Sequence, residues 1–122
     1  MYTKISGRAV LETTENKKIE AYLGFCIRCG RISFGVDDME KQKKTFLIIA
    51  DESLGESSLK TVKKLQEKFG CKLLIGKSGA LGGLLHKPAV KAVAIKEKNL
   101  AEAILSVVSG EFDFKIYSGG NN

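Results

Sequence analysis

Two cysteines, Cys26 and Cys29, form a C-x-x-C pair that could support redox or metal chemistry. Redox use depends on a first cysteine at a helix N-terminus, where the helix dipole lowers the thiol pKa. Here the apolar periodicity places the pair at the end of a helix, where the dipole has the opposite sign. Zinc needs two further ligands, and Cys71 and His86 do not form a second close pair. We therefore expect both cysteines to pack in the interior, with metal and redox sites as the alternatives.

A second candidate is the run IGKSG at residues 75–79, between an apolar strand and a helix. A P-loop has four residues between its first glycine and its G-K-[ST] sequence. In this chain five residues separate Gly70 from Gly76, and they are the strand itself, so they cannot wrap a phosphate. Nucleotide hydrolysis is therefore not expected, but free backbone amides near Ser78 to Ala80 could contact a phosphate of any kind.

Two carboxylate pairs, Asp37 with Asp38 and Asp51 with Glu52, could act as an acid and a base. Both pairs stand at predicted helix starts, where acidic side chains cap backbone amides and favour the positive end of the dipole. The single histidine, His86, belongs to no catalytic arrangement that the sequence supports. We therefore expect a protein that is not an enzyme and that uses no cofactor, metal or small-molecule substrate.

The charge balance favours a polyanionic partner. Lysine and arginine total 20 against 14 aspartate and glutamate residues, which gives a net charge of +6 and a pI near 9.3. No apolar run approaches the roughly 20 residues of a membrane span, and the first residues lack the apolar segment of a signal peptide. An odd number of cysteines without an export signal is explained by reduced thiols. We expect a cytoplasmic protein.

Helical and extended patterns alternate along the chain. Ile19, Leu23 and Cys26 fall at helical spacing, and TFLIIA at 45–50 is typical of a strand covered on both faces. The predicted helices are 17–29, 36–43, 53–69 ending at Gly70, 79–85 and 99–109 ending at Gly110, and the predicted strands are 31–34, 45–50, 71–75 and 90–95. This alternation predicts an α/β protein, a three-layer α/β/α sandwich with a central mixed sheet of about four strands.

The domain boundaries follow from the same patterns. Capping-box sequences at 53–56 and 99–102 mark the starts of two helices. Residues 17–110 then form one α/β/α domain, preceded by an N-terminal arm at 1–16 and followed by a C-terminal tail or edge strand at 111–122.

Turns next to the strands hold the residues that could bind a ligand. Loops at one edge of an open α/β sheet converge on ligand sites, and the turns at 35–38 and 51–53 follow predicted strands. The loop at 86–89 enters a strand, so the sequence leaves its edge undetermined. Cations in or near these turns suit a phosphate backbone: Arg28, Arg31, Lys41, Lys43, Lys44 and Lys87. Because only 7% of residues are aromatic, a structured RNA fits better than a single strand stacked on rings.

Three segments together resemble the kink-turn-binding proteins of the large ribosomal subunit, the seven-Ae/thirty-e family, and especially their small bacterial paralogues. They are YLGFCIRCGRISFG at 22–35, TFLIIADES at 45–53 and ALGGLLHKPAVKAVAIKEKNLAEAIL at 80–105, in the order and spacing of the family. The resemblance extends over residues 17–109, about three-quarters of the chain. It implies an α/β/α sandwich that binds the sheared G·A pairs of a kinked RNA stem, with ribosomal or other kink-turn-like RNA, or the ribosome, as partner.

Members of this family carry G-x-N-E-x-x-K at the start of the second helix, and this chain has GVDDMEK at 35–41. Gly35 and Lys41 match, Asp38 keeps the acid of the glutamate, and Asp37 replaces the asparagine. Asparagine offers a donor and an acceptor, whereas ionised aspartate offers acceptors only. Other RNA shapes and a protein partner therefore stay open beside a kink-turn.

The resemblance also implies individual roles. Lys41, Arg31 and Lys87 would hold phosphates or base edges, Asp38 would accept from a guanine edge, and 85–90 would be an RNA-facing loop. It places the C-x-x-C cysteines at positions of small core residues. The expected RNA-binding residues are Arg31, Gly35, Val36, Asp37, Asp38, Lys41, Asp51, Glu52, Lys87, Pro88, Ala89 and Val90. The alternatives are a protein-interaction scaffold of the same fold that has lost the RNA site, and a metal or redox protein.

Overall fold

Helices and strands alternate in the computed structural model, which describes residues 14–108 and 113–117. The helices are α1 (Thr14–Arg28), α2 (Val36–Glu40), α3 (Glu56–Phe69), α4 (Ala80–Leu85) and α5 (Lys98–Val107). The strands are β1 (Ile32–Phe34), β2 (Leu47–Asp51), β3 (Lys72–Gly76), β4 (Ala92–Ile95) and β5 (Phe114–Ile116). Every helix and strand predicted from the sequence is present, with ends shifted by a few residues.

The strands form one mixed sheet in the order β1-β4-β2-β3-β5. Strands β2 and β3 are parallel, and the other three neighbouring pairs are antiparallel. The sheet has five strands rather than the predicted four, because β5 from the C-terminal segment pairs with β3. The predicted tail at 111–122 therefore supplies an edge strand, while residues 118–122 lie outside the described part of the chain.

Helices cover both faces of the sheet, which confirms the α/β/α sandwich. Alternate residues of β2 point to opposite faces, as the two-residue period of a strand requires. Leu47 and Ile49 join the core formed with α1, α4 and α5, whereas Ile48 and Ala50 join the core formed with α2 and α3. All four residues are fully buried. A strand that is covered on both faces needs apolar residues at every position, which explains the continuous apolar run.

The first helix begins earlier than predicted. Helix α1 starts at Thr14, and Asn16 is buried with its Nδ2 donating to Oδ2 of Asp113 at 2.6 Å. Residues 14–16 thus belong to the domain and not to an N-terminal arm. The remainder of the predicted arm, residues 1–13, lies outside the described residues.

Both predicted capping boxes are wrong. Helix α3 begins at Glu56 with no side-chain cap, because Ser53 donates its backbone N–H and its hydroxyl to Oδ1 of Asp51 at 2.8 and 2.6 Å. Helix α5 is capped by Glu97, which accepts from the Leu100 N–H at 2.7 Å. Before α3 a nearby carboxylate takes both donors of the predicted capping serine, and at α5 the cap lies two residues earlier than predicted.

Helix ends follow backbone geometry. Gly70 ends α3 with φ 64°, a left-handed conformation that glycine adopts without strain, as predicted. Helix α2 stops at Glu40, three residues short of its predicted end. Helix α5 ends at Val107, and the predicted stop at Gly110 lies outside the described residues. No helix within these residues is long and apolar enough to cross a membrane.

Candidate functional site

Four turns meet at one edge of the sheet. Strand β4 runs antiparallel to its neighbours β1 and β2, and β3 runs parallel to β2, so the first residue of β4 lies at the same edge as the last residues of β1, β2 and β3. This pairing places residues 86–91 at the same edge as 35–38, 51–55 and 76–79, and so determines what the sequence left open. We call this set of four turns the loop edge.

Backbone hydrogen bonds join the turns of the loop edge to one another. The Asp51 N–H donates to the Lys91 carbonyl at 2.8 Å, and the Glu52 N–H donates to the Gly76 carbonyl at 2.8 Å. The loop edge is therefore a continuous rigid surface rather than a set of independent loops.

A groove of about 450 Å³ opens on the loop edge. Gly35 forms one wall, with φ 86° and its N–H donating to the Ala92 carbonyl at 2.8 Å. That positive φ favours glycine and turns the chain into α2, so that the exposed Asp37 reaches the groove. The lining residues are Phe34, Gly35, Val36, Asp37, Leu54, Ser58, Ala89, Lys91 and Ala92.

Asp51 is buried and Glu52 is exposed, and both carboxylates accept hydrogen bonds from backbone amides. Oδ2 of Asp51 accepts from the Gly79 N–H at 2.7 Å, and Oε2 of Glu52 accepts from the Ser78 N–H at 3.1 Å. The Ala80 N–H donates to a backbone carbonyl at 2.9 Å. The prediction that the amides from Ser78 to Ala80 are free for a phosphate is therefore wrong, because the chain's own acceptors satisfy them.

Asp51 is ionised although it is only 1% exposed. Burial raises the pKa of this carboxyl, but hydrogen bonds from the Ser53 hydroxyl and amide and from the Gly79 amide lower it, and so does the charge of Lys91. The net result is a pKa below the ordinary value of 3.8. Lys91 Nζ also donates to Ser53 Oγ at 2.8 Å, which extends the network to the groove. Asp51 thus braces three turns from inside and does not itself face a ligand.

The loop at 86–90 is held against helix α4. A Cβ on Gly82 would lie 3.0 Å from Pro88 Cα and 3.1 Å from the Lys87 carbonyl oxygen, so a side chain there would require the loop to shift by a few tenths of an ångström. Lys87, Pro88 and Ala89 are exposed, and Val90 is partly buried. The Lys87 ammonium lies 5.8 Å from the ring centroid of Phe34, within range of a cation–π contact. The loop therefore presents one cation and small apolar surface at the loop edge.

Not all predicted cations lie at the loop edge. Arg31 precedes β1 at the opposite edge of the sheet, where its carbonyl accepts from the Lys96 N–H at 2.8 Å. Lys41 follows the last residue of α2, at the end remote from Gly35. The expectation of a single basic rim is thus wrong for Arg31, because strand β1 separates it from Gly35, and for Lys43 and Lys44, which precede β2 at that same opposite edge.

Two lysines at the loop edge were not singled out from the sequence. Lys91 lines the groove, and Lys77 follows β3, with its side chain 62% exposed and its ammonium 3.9 Å from Oδ1 of Asp113. Both directly flank a strand at this edge, a position that the sequence indicates only once the strand directions are known.

The three thiols differ in burial. Cys26 is fully buried, and burial, with the charges of Cys29 and Glu97, raises its pKa to about 11. Burial likewise raises the pKa of Cys71 to about 11. Cys29 is exposed, so the packing prediction is confirmed for Cys26 and wrong for Cys29. Within the described ranges, no three side chains of metal-binding type cluster together.

His86 holds a different contact. Its Nε2 lies 2.7 Å from Oε2 of Glu20. Its backbone is left-handed, with φ 59°, and among the described residues all others with a positive φ are glycines. This geometry ends α4 and turns the chain into the exposed loop at 87–89. The histidine therefore positions the loop from the side of α1.

Comparisons with known proteins bear on the fold alone. No family model matches the sequence, and no curated protein matches it. A solved structure described as that of a protein with unknown function from Bacillus halodurans C is similar, with a TM-score of 0.62 and 16% identity over 74% of this chain and 95% of that one. At this identity the likeness supports the α/β sandwich and leaves function to the site itself.

Proposed function

We propose that this protein is a non-catalytic RNA-binding protein that recognises a structured RNA stem with its loop edge. The observation that carries the proposal is the groove, which brings together the turn at 35–37 and the loop residue Ala89 from distant parts of the sequence. Both segments are RNA-facing in the family that the sequence resembles. A concave, rigid surface of this kind suits recognition by shape, which is how folded RNA is commonly bound.

Charge at the loop edge supports the same function. The buried carboxylate of Asp51 is directed at backbone amides, so its charge is offset inside the protein, and the exposed carboxylate of Glu52 accepts from the Ser78 amide. Lys87 and Lys91 are exposed and carry positive charge outward at the groove. Lys87 keeps the phosphate-holding role expected of it, Lys91 takes the role expected of Arg31, and the net charge of +6 favours approach to RNA.

A protein-interaction scaffold is the second candidate, favoured by one observation. Asp37 lines the groove as an exposed carboxylate, where an RNA-binding surface would place a neutral donor. A carboxylate there repels phosphates and attracts basic groups of a protein. In this alternative the fold is kept and the kink-turn site is lost.

Binding of a kink-turn stem at several salt concentrations tests the proposal. For the variant Lys87→Ala/Lys91→Ala we expect weaker binding and a salt slope reduced by about 1.8, because each lysine–phosphate contact contributes about 0.9. Lys17→Ala/Lys18→Ala is the matched control, since it removes two exposed charges from α1, on the other face of the sheet and outside the groove. Equal effects of the two double variants would assign the binding to net charge and overturn the loop edge.

Asp37→Asn distinguishes RNA binding from the scaffold. The change supplies an amide donor and removes a negative charge at the groove, so affinity for the stem should rise about tenfold, in line with roughly 1–3 kcal/mol per base contact. If neither the wild type nor Asp37→Asn binds the stem at low salt, the scaffold replaces RNA binding as the function.

A further inference from the structure

A second groove lies at the opposite edge of the sheet. The strand register aligns Leu47 with Lys72 and with Ile95 at this end, and the chain before β2 passes beside the end of α3. The space between them is about 420 Å³. We call it the lysine groove, lined by Lys43, Lys44, Thr45, Phe46, Lys68, Phe69, Gly70 and Cys71.

The lysine groove is lined by cations and by no acidic side chain of the described residues. Lys68 stands in the last turn of α3, where it offsets the negative end of the helix dipole, and its ammonium lies 5.5 Å from the Phe69 ring centroid. Lys43 and Lys44 are exposed and stand outside the helices, so they do not offset a helix dipole. They supply the positive charge that is available to a ligand, whereas the groove at the loop edge includes a carboxylate.

Thr45 provides a second, independent indication of a ligand. It is 4% exposed and lines the lysine groove, and its hydroxyl is a buried polar group without a hydrogen-bond partner in the described structure. Such groups are rare in folded proteins, and a bound acceptor would satisfy this one after a rotation of the side chain. The partly exposed rings of Phe46 and Phe69 add apolar surface beside it. Phosphate acceptors next to planar bases match this combination.

We propose that the lysine groove binds a single-stranded RNA segment that flanks the stem held at the loop edge. The inference rests on the proposed function, because it takes the strand to be part of the same RNA. The two edges are separated by the length of β2, about 13 Å for the four steps of about 3.3 Å between its first and last residues. One RNA can therefore contact both edges by passing along the face of the sandwich that carries α2 and α3.

The test compares a blunt kink-turn stem with the same stem carrying an oligouridine extension. For the wild type we expect the extended stem to bind about tenfold more tightly, with a steeper salt dependence. Lys43→Ala/Lys44→Ala should lose this ratio, reduce the salt slope by about 1.4 at about 0.7 per single-strand contact, and keep the affinity for the blunt stem. Lys17→Ala/Lys18→Ala, an adjacent exposed pair on α1, is the matched control and should keep the ratio.

The outcomes separate the two proposals. Binding of the blunt stem with no gain from the extension overturns the lysine groove and leaves the loop edge intact. Failure to bind the blunt stem, with oligouridine alone still bound through Lys43 and Lys44, overturns the proposed function and keeps the groove. Competition by polyglutamate as strong as that by oligouridine identifies an acidic protein partner and overturns the RNA segment.

Discussion

Replacing Asp51 by asparagine tests whether its carboxylate braces the loop edge. The native carboxylate accepts from Ser53 through Oδ1 and from Gly79 through Oδ2. Asparagine has one carbonyl oxygen, so if that oxygen serves Ser53, its NH₂ group faces the Gly79 N–H. Two donors then oppose each other in a position that is 1% exposed, where water cannot separate them.

The expected loss in the free energy of unfolding follows from that single exchange. A hydrogen bond to a charged group contributes about 1.5–3 kcal/mol, and a buried donor left unsatisfied costs about 1–3 kcal/mol. The two values describe the same event, so we expect Asp51→Asn to lose about 2–3 kcal/mol in urea unfolding near neutral pH. The dependence on urea concentration should stay unchanged, because the surface exposed on unfolding is the same.

The pH dependence carries the sharper signature. Because the folded pKa of Asp51 lies below 3.8, its contribution is fully present above that value and is lost as the pH falls through the folded pKa. The stability difference between wild type and Asp51→Asn should be constant from about pH 5 to 8 and shrink in acid. Asp37→Asn makes the same chemical change at an exposed position and should alter stability by less than about 0.5 kcal/mol.

Two results would refute this reasoning. Equal losses in the free energy of unfolding for Asp51→Asn and Asp37→Asn would mean that changing a carboxylate to an amide destabilises the protein at either position. The hydrogen bonds of Asp51 would then make no contribution of their own. A stability difference that persists undiminished in acid would mean that the charge of Asp51 does not contribute, since both proteins would then differ only in shape.

Two further predictions concern packing and thiol reactivity. Gly76→Ala should destabilise the fold by about 1–3 kcal/mol in thermal unfolding. The reason is that the added Cβ would lie 2.6 Å from Cε1 of Phe114 and displace β5. An unchanged melting temperature would show that the Phe114 ring moves freely. Cys29 should react with a thiol reagent much faster than Cys26, because Cys29 is exposed whereas burial raises the pKa of Cys26 to about 11. Mass spectrometry of the labelled peptides measures both rates, and equal rates would contradict the burial of Cys26.

The fold was predictable wherever burial alone determines the pattern. The run at 45–50 is apolar throughout because both sheet faces are covered, and that property depends only on local composition. Gly70 marked the end of α3 for a similarly local reason, its left-handed φ. The fifth strand was the weakest prediction, since Phe114–Ile116 is short and only Phe114 is buried.

Helix starts were not predictable because distant and local acceptors compete for the same donors. Ser53 has the spacing of a capping residue, but Asp51 two residues earlier is fixed by the Gly79 amide and takes both donors of the serine. The outcome depends on a contact 28 residues away, which a local pattern does not contain.

The sequence predicted some residues of the candidate site, but not which cations lie beside them. Gly35 and Ala89 were both expected to bind, and they do line one groove. Their meeting requires that β4 run antiparallel to β1, a pairing across about 60 residues of sequence. The same pairing sends Arg31 to the other edge and brings Lys91 to the groove. Strand direction, rather than residue type, decides which cations belong to the site.

The contact between Asn16 and Asp113 joins positions 97 residues apart and closes the structure near both ends of the described chain. During synthesis β5 leaves the ribosome after β3, so one side of β3 stays unpaired until residues 114–116 have emerged. An unpaired strand of this kind is a template for association with other chains. Chains truncated before residue 113 should therefore self-associate.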